Sequence, residues 1–119
     1  MNNPEKIFNY LKEILVPFSC EMVVVTDRPD NFYLNTHHVM KNKKPMYFAS
    51  VKINKRYVSF HLMPVYVFPE LLEGISSELK KRMQGKSCFN FKTPETKLLK
   101  ELKELTHAGY EKYQEANYL

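Results

Sequence analysis

Cysteines and long apolar runs are both scarce in this chain of 119 residues. The longest apolar stretches, residues 22–25 and 62–68, fall well short of the ~20 residues that a helix needs to cross a bilayer. Cys20 and Cys88 are the two cysteines, and the N-terminus leads into no long apolar segment with a small-residue cleavage site. We therefore expect a soluble cytoplasmic protein that keeps both thiols reduced and does not bind membranes.

The chain also lacks internal repeats, low-complexity tracts and Gly/Ser-rich linkers, so no domain boundary is indicated. Its apolar content of 44% and its length allow one core that buries roughly two thirds of the unfolded surface. We expect a single domain over residues 1–119.

No complete catalytic or metal-binding motif is present. Gly85-Lys86-Ser87 ends like a phosphate-binding P-loop, but Lys80 stands where that motif needs its first glycine. The neighbours His37 and His38 point to opposite faces in an extended chain and do not have the spacing of a helical ligand pair. These absences predict no cofactor and no metal site, and they favour a binding protein while leaving enzymatic activity open.

Apolar periodicity predicts a helix at each end of the chain. The first has a buried stripe of Ile7, Leu11, Ile14, Leu15 and Phe18. The last has a buried stripe of Leu98, Leu102, Leu105 and Gly109. Asn3 is placed to cap the first helix, and Thr93 with Pro94 to begin the last. Gly109 implies close approach to a neighbouring element.

Alternating patterns predict two hairpins. In the first, Pro29 occupies the second position of a turn, and a two-residue loop would place Val25 opposite Leu34. In the second, residues 46–53 and 57–63 flank the turn Asn54-Lys55.

Between the second hairpin and the last helix, two short helices are predicted over residues 69–73 and 77–83. Gly74 and Gly85 end them, and Ser76 caps the second. A fifth strand follows at 87–92. The predicted fold is α+β: an antiparallel sheet of about five strands, with the helices packed mainly on one face.

The second hairpin separates two kinds of side chain. Strict alternation puts Tyr47, Ala49, Val51 and Ile53 on one face with Val58, Phe60 and Leu62. The opposite face then carries Phe48, Ser50, Lys52, Tyr57, Ser59 and His61. An antiparallel sheet shows such a mixed face when helices cover only its other side.

This mixed face is our candidate binding surface for a small ligand or a partner protein. We expect polar contacts from Tyr57, Ser59 and His61, stacking on Phe48, and an anion contact from the adjoining turn that carries Lys86 and Ser87. The alternative is that Phe48 and Tyr57 are ordinary packing residues.

The charge balance of +5 supports a second hypothesis. Lysines and arginines cluster near residues 41–44, 52–56 and 80–86, and basic surfaces with exposed rings bind nucleic acids and other polyanions. The alternative for each cluster is a solvated surface.

Three segments resemble the YdhG-like domain family, a bacterial group whose functions are largely unassigned. They are PEKIFNYLKEIL, KKPMYFASVKINKRYVSFHLMPVY and FPELLEGISSELKKRMQGKSCFNFK, and the decapeptide MQGKSCFNFK is the most specific of them. The resemblance implies a compact α/β domain with an antiparallel sheet. It also implies a frataxin-like iron-chaperone role, as suggested for some relatives. Such a site depends on an acidic ridge, whereas the first helix here carries only Glu5 and Glu13, so no iron ligands are transferred.

Overall fold

Six antiparallel strands and four helices make up residues 3–119, the part of the chain that this computed structural model describes. In chain order the elements are α1 (Pro4–Ser19), β1 (Val23–Arg28), β2 (Asn31–Val39), β3 (Pro45–Ile53), β4 (Val58–Leu62), α2 (Met63–Val67), a 3-10 turn (Pro69–Leu72), α3 (Ser77–Lys80), β5 (Met83–Gln84), β6 (Cys88–Phe91) and α4 (Thr96–Glu115). The sheet order is β1-β2-β3-β4-β6-β5. The predicted α+β fold is confirmed, and the sixth strand is the two-residue β5.

The helices bury their apolar stripes against one side of the sheet. Phe48 of β3 lies at the centre of this core, with its ring centroid 5.6 Å from that of Phe18 in α1 and 5.9 Å from that of Tyr113 in α4. Gly109 lets α4 approach α2, because an added Cβ would lie 2.8 Å from Cβ of Pro64. The close approach predicted at Gly109 is therefore confirmed.

A β-bulge in β3 reverses the predicted facing of two aromatic residues. Leu34 of β2 pairs with Ala49, but the next residue, Asn35, pairs with Tyr47, so Phe48 is an extra residue in β3. Phe48 and Ala49 are consequently both buried on the helix side, and Tyr47 turns to the opposite side. The placement of Phe48 on the mixed face is wrong, because strict alternation does not hold across a bulge.

The face assignment of the other strand residues of the hairpin is correct, whereas Tyr57, predicted to be in the strand, lies in the loop before β4. The connection between β3 and β4 is a four-residue loop, since Ile53 pairs with Val58, instead of the predicted two-residue turn. Lengthening a loop by two residues preserves which side chains share a face, because the side-chain period of a strand is two.

The edge strand β1 contains a second bulge. The predicted turn is confirmed, since Arg28 pairs with Asn31. The pairing then shifts between Val24 and Thr26, and Val24 takes the place opposite Leu34 that was predicted for Val25.

Several predicted helix ends also differ. Ser76 does cap α3, with its hydroxyl accepting a hydrogen bond of 3.2 Å from the backbone N–H of Leu79. However, α3 ends at Lys80, and Gly85, at φ 80°, lies in the loop between β5 and β6 instead of ending a helix. The last helix begins at Thr96, so Thr93 does not cap it.

Within residues 3–119, no helix combines the length and the apolar character that a membrane span requires.

Candidate ligand-binding face

The side of the sheet that points away from the helices, here called the open face, is half-buried or exposed throughout. Backbone pairing identifies its members, because Ser50 pairs with Tyr33 and His61, and paired residues share a face. The strand residues of the open face include Thr26, Arg28, Asn31, Tyr33, Asn35, Tyr47, Ser50, Lys52, Ser59, His61, Gln84, Cys88 and Asn90. None of these side chains is acidic, so the open face favours anionic over cationic ligands.

A row of aromatic and polar side chains crosses the open face. The rings of Tyr33 and Tyr47 are stacked, with centroids 4.6 Å apart and planes 11° from parallel. The Tyr47 hydroxyl hydrogen-bonds to the Ser50 hydroxyl, and its ring meets His61 edge-on at 5.2 Å. His61 Nε2 lies 2.5 Å from the hydroxyl oxygen of Ser87. These contacts hold the row in one arrangement.

The ionisable groups of this row, and Cys88 beside His61 in the sheet, are uncharged near neutral pH. Burial raises the pKa values of Tyr33, Tyr47 and Cys88 and lowers the pKa of His61. The phenols and the thiol therefore keep their protons, and the imidazole is neutral. The row offers hydrogen bonds and ring surfaces, and any attraction for charge comes from residues around it.

A chain of amide and hydroxyl groups fixes the neighbouring part of the open face. Asn54 Nδ2 donates to Ser59 Oγ at 2.8 Å, and Ser59 Oγ donates to Asn90 Oδ1 at 3.0 Å. Asn90 Nδ2 then donates to Gln84 Oε1 at 2.8 Å. Because the Gln84 oxygen accepts this bond, its NH₂ group remains available as a donor.

This network leads into an open pocket of about 580 Å³ at the β5–β6 edge of the sheet. Its lining residues are Tyr57, Lys81, Arg82, Met83, Gln84, Asn90, Lys92, Thr93 and Glu95. The volume falls within the range of about 300–1,000 Å³ that is usual for small-molecule sites.

The single carboxylate of the pocket is already paired. Arg82 donates from Nε and Nη2 to the two oxygens of Glu95, at 2.6 and 2.5 Å. These hydrogen bonds lower the pKa of Glu95, which stays ionised and neutralised by its partner. Within residues 3–119, Lys81 and Lys92 have no carboxylate at ion-pair distance. The pocket is therefore cationic.

The structure separates the six residues predicted to form a site. Ser59 and His61 lie on the open face, as their alternation predicts. Tyr57 lines the β5–β6 pocket, into which the open face leads. Ser87 is bonded to His61, and Lys86 is exposed with its Nζ 6.0 Å from the ring centroid of Tyr66. Phe48, in contrast, is in the core. The ligand-binding role of the other five stays a prediction.

Sequence reasoning missed Tyr33 and Tyr47 of the open face and Gln84 of the pocket. Tyr33 could have been found, because Asn31, Tyr33 and Asn35 alternate with buried residues along β2. Tyr47 was hidden by the bulge. Gln84 could not be placed, because β5 is only two residues long and carries no periodic signal.

Among residues 3–119, no three His, Cys, Asp or Glu side chains come close enough together to hold a metal ion. Comparisons with protein-family models, with curated proteins and with solved structures find no match to this chain. The resemblance to the YdhG-like family stays a prediction.

Proposed function

We propose that the protein is a binding module for a small anionic ligand, which it holds where the open face meets the β5–β6 pocket. The observation that carries this proposal is the uncovered face without acidic side chains, ending in a pocket where three cationic side chains meet one carboxylate. Convergent polar groups in a concave site are the usual mark of a ligand site.

The tyrosine, serine and histidine groups of the open face favour binding over catalysis. The Ser87 hydroxyl and the His61 imidazole are close enough for proton transfer, but Ser87 is only 7% exposed and is shielded from a substrate. The neighbouring backbone bond of 2.9 Å, from Leu62 N–H to the Ser87 carbonyl, ties the same two segments. The contact between Ser87 and His61 thus helps to hold the start of β6 against β4, which is a structural role.

Chemical-shift mapping tests this function. The protein is titrated with small anions, such as inorganic phosphate and acetate, and with matched neutral and cationic compounds, and the backbone amide shifts are followed. We expect the anions to shift amides of β4, β5 and β6 around the pocket. Anion-induced shifts confined to the helices, or equal responses to cations, would contradict the proposal.

Matched lysine variants make the test specific. Lys92→Ala removes a cation from the pocket, whereas Lys103→Ala removes an exposed lysine of α4 that does not line the pocket. We expect the first to weaken anion binding and the second to leave it unchanged.

Polyanion binding is a second candidate, favoured by one observation. Lys52 is exposed on the open face, and Lys55 and Arg56 extend the positive charge from the adjoining loop. A labelled single-stranded oligonucleotide titrated at two salt concentrations tests it, and binding should weaken steeply as salt rises. The iron-carrier role implied by the YdhG-like resemblance also stays a prediction, and calorimetry with ferrous ion tests it.

A further inference from the structure

Hydrogen-bond donors outnumber acceptors among the polar side chains that line the β5–β6 pocket. The Gln84 oxygen is used by Asn90, and the Asn90 oxygen accepts from Ser59 and from the Cys88 thiol. Both side chains keep amide N–H groups for the pocket, which add to the ammonium groups of Lys81 and Lys92. The hydroxyls of Tyr57 and Thr93 can donate or accept, and Glu95 is the one carboxylate of the lining. A ligand rich in acceptor oxygens satisfies this excess of donors.

The charges of the pocket favour an anionic group on the ligand. Arg82 is held in a bidentate pair with Glu95, so its charge is largely neutralised. Lys81 and Lys92 are exposed and approach the pocket from different segments, one after α3 and the other after β6. Two such cations in the lining of one pocket suit a ligand with a phosphate or carboxylate group.

The pocket also contains an unused aromatic ring. Tyr57 is half-buried, and among residues 3–119 its ring contacts no other ring, whereas Tyr33 and Tyr47 stack on each other. Met83 adds a polarisable thioether to the same lining. A tyrosine ring and a thioether in the lining of one pocket favour a flat aromatic group over a saturated one.

We infer that the ligand of this pocket is a planar aromatic group that carries a phosphate or carboxylate. The inference rests on the proposed function and narrows it to one ligand class. In this arrangement the ring lies against Tyr57 and Met83, the anionic group is bound by Lys81 and Lys92, and the Gln84 and Asn90 amides donate to its oxygens.

Four related probes separate the two parts of this ligand. Phenyl phosphate has both the ring and the anion, and cyclohexyl phosphate has the same charge without a flat ring. Phenol has only the ring, and inorganic phosphate only the anion. We expect phenyl phosphate to bind at least about fivefold tighter than cyclohexyl phosphate, since stacking on an aromatic side chain contributes that much or more.

Two variants assign the roles to residues. Tyr57→Leu should abolish the preference for phenyl over cyclohexyl phosphate while both still bind. Lys92→Ala should weaken both phosphates about two- to fivefold, the range for an exposed charge contact, without changing their ratio. Lys103→Ala is the matched control and should change neither. Urea denaturation of each variant verifies that it is folded.

The outcomes distinguish the inference from the function on which it rests. Tighter binding of phenyl phosphate, with shifted amides around the pocket and loss of the preference in Tyr57→Leu, supports both. Equal affinities for phenyl and cyclohexyl phosphate, or shifts only near Tyr33 and His61, overturn the aromatic inference and leave anion binding in place. If none of the anionic probes shifts an open-face amide, both are refuted.

Discussion

Replacing Phe48 by alanine tests the bulge in β3 directly. If alternation held, Phe48 would lie on the open face, and its loss would affect ligands more than stability. In the structure its side chain is fully buried, with the rings of Phe18, Tyr110 and Tyr113 within 6.3 Å of its own. Removing a buried phenyl ring typically costs about 3–5 kcal/mol, as lost burial plus the cavity left behind.

Urea denaturation followed by circular dichroism measures the free energy of unfolding of wild type and variant. A loss of this size is a large part of the stability of a typical domain, so Phe48→Ala alone can leave too little folded protein for a measurement. Phe48→Leu is therefore made in parallel, and its free energy of unfolding should fall less. Tyr57→Ala, which removes a half-buried ring from the pocket, is the control and should also cost less than Phe48→Ala. A cost below about 1 kcal/mol for Phe48→Ala would mean that the ring is not in the core, and the bulge would be wrong.

Three further predictions address a helix contact, a titrating group and a helix cap. Gly109→Ala should destabilise the protein by about 1–2 kcal/mol, because the new methyl group meets the rigid ring of Pro64 and this overpacking exceeds the gain in helix propensity. In a Pro64→Gly background the same change should be neutral or stabilising. An equal loss of stability in that background would contradict the contact. Burial lowers the pKa of His61, so as the pH drops the unfolded chain takes up this proton before the folded protein does. The free energy of unfolding should therefore fall below about pH 6.5 and level off below the native pKa of His61. Urea titrations across this range should show a smaller fall for His61→Gln, and an identical profile would refute the assignment. Ser76→Ala should lower the free energy of unfolding by about 1–2 kcal/mol, because the Ser76 hydroxyl accepts from the backbone N–H of Leu79 and donates to Glu101 at 2.6 Å. Ser77→Ala is the exposed control, and equal losses of stability in the two variants would contradict the cap.

Local patterns predict much of this fold because they report burial directly. The stripe on α1 places Ile7 and Leu11 in the core, and Pro29 marks the turn between β1 and β2. The face of Ser59 and His61 is also predictable, because it survives an error of two residues in the loop.

The features that sequence reasoning missed depend on contacts between distant segments. The bulge at Phe48 is accompanied by a hydrogen bond of 2.9 Å from the Tyr113 hydroxyl to the Tyr47 carbonyl, across 66 residues of chain. The pocket depends on Arg82 pairing with Glu95, which no local pattern reveals. Periodicity describes one element at a time, so it cannot show which carboxylate is already neutralised.

The interrupted pairing of β1 has a consequence for self-association. Val23, Val24 and Val25 are 39%, 43% and 51% exposed on the edge of the sheet, a composition that promotes fibril growth when such an edge is flat and continuous. The bulge at Val25 twists the strand and breaks the regular row of N–H and C=O groups that an incoming chain would need. The protein thus carries an apolar, β-prone border without offering a template for aggregation.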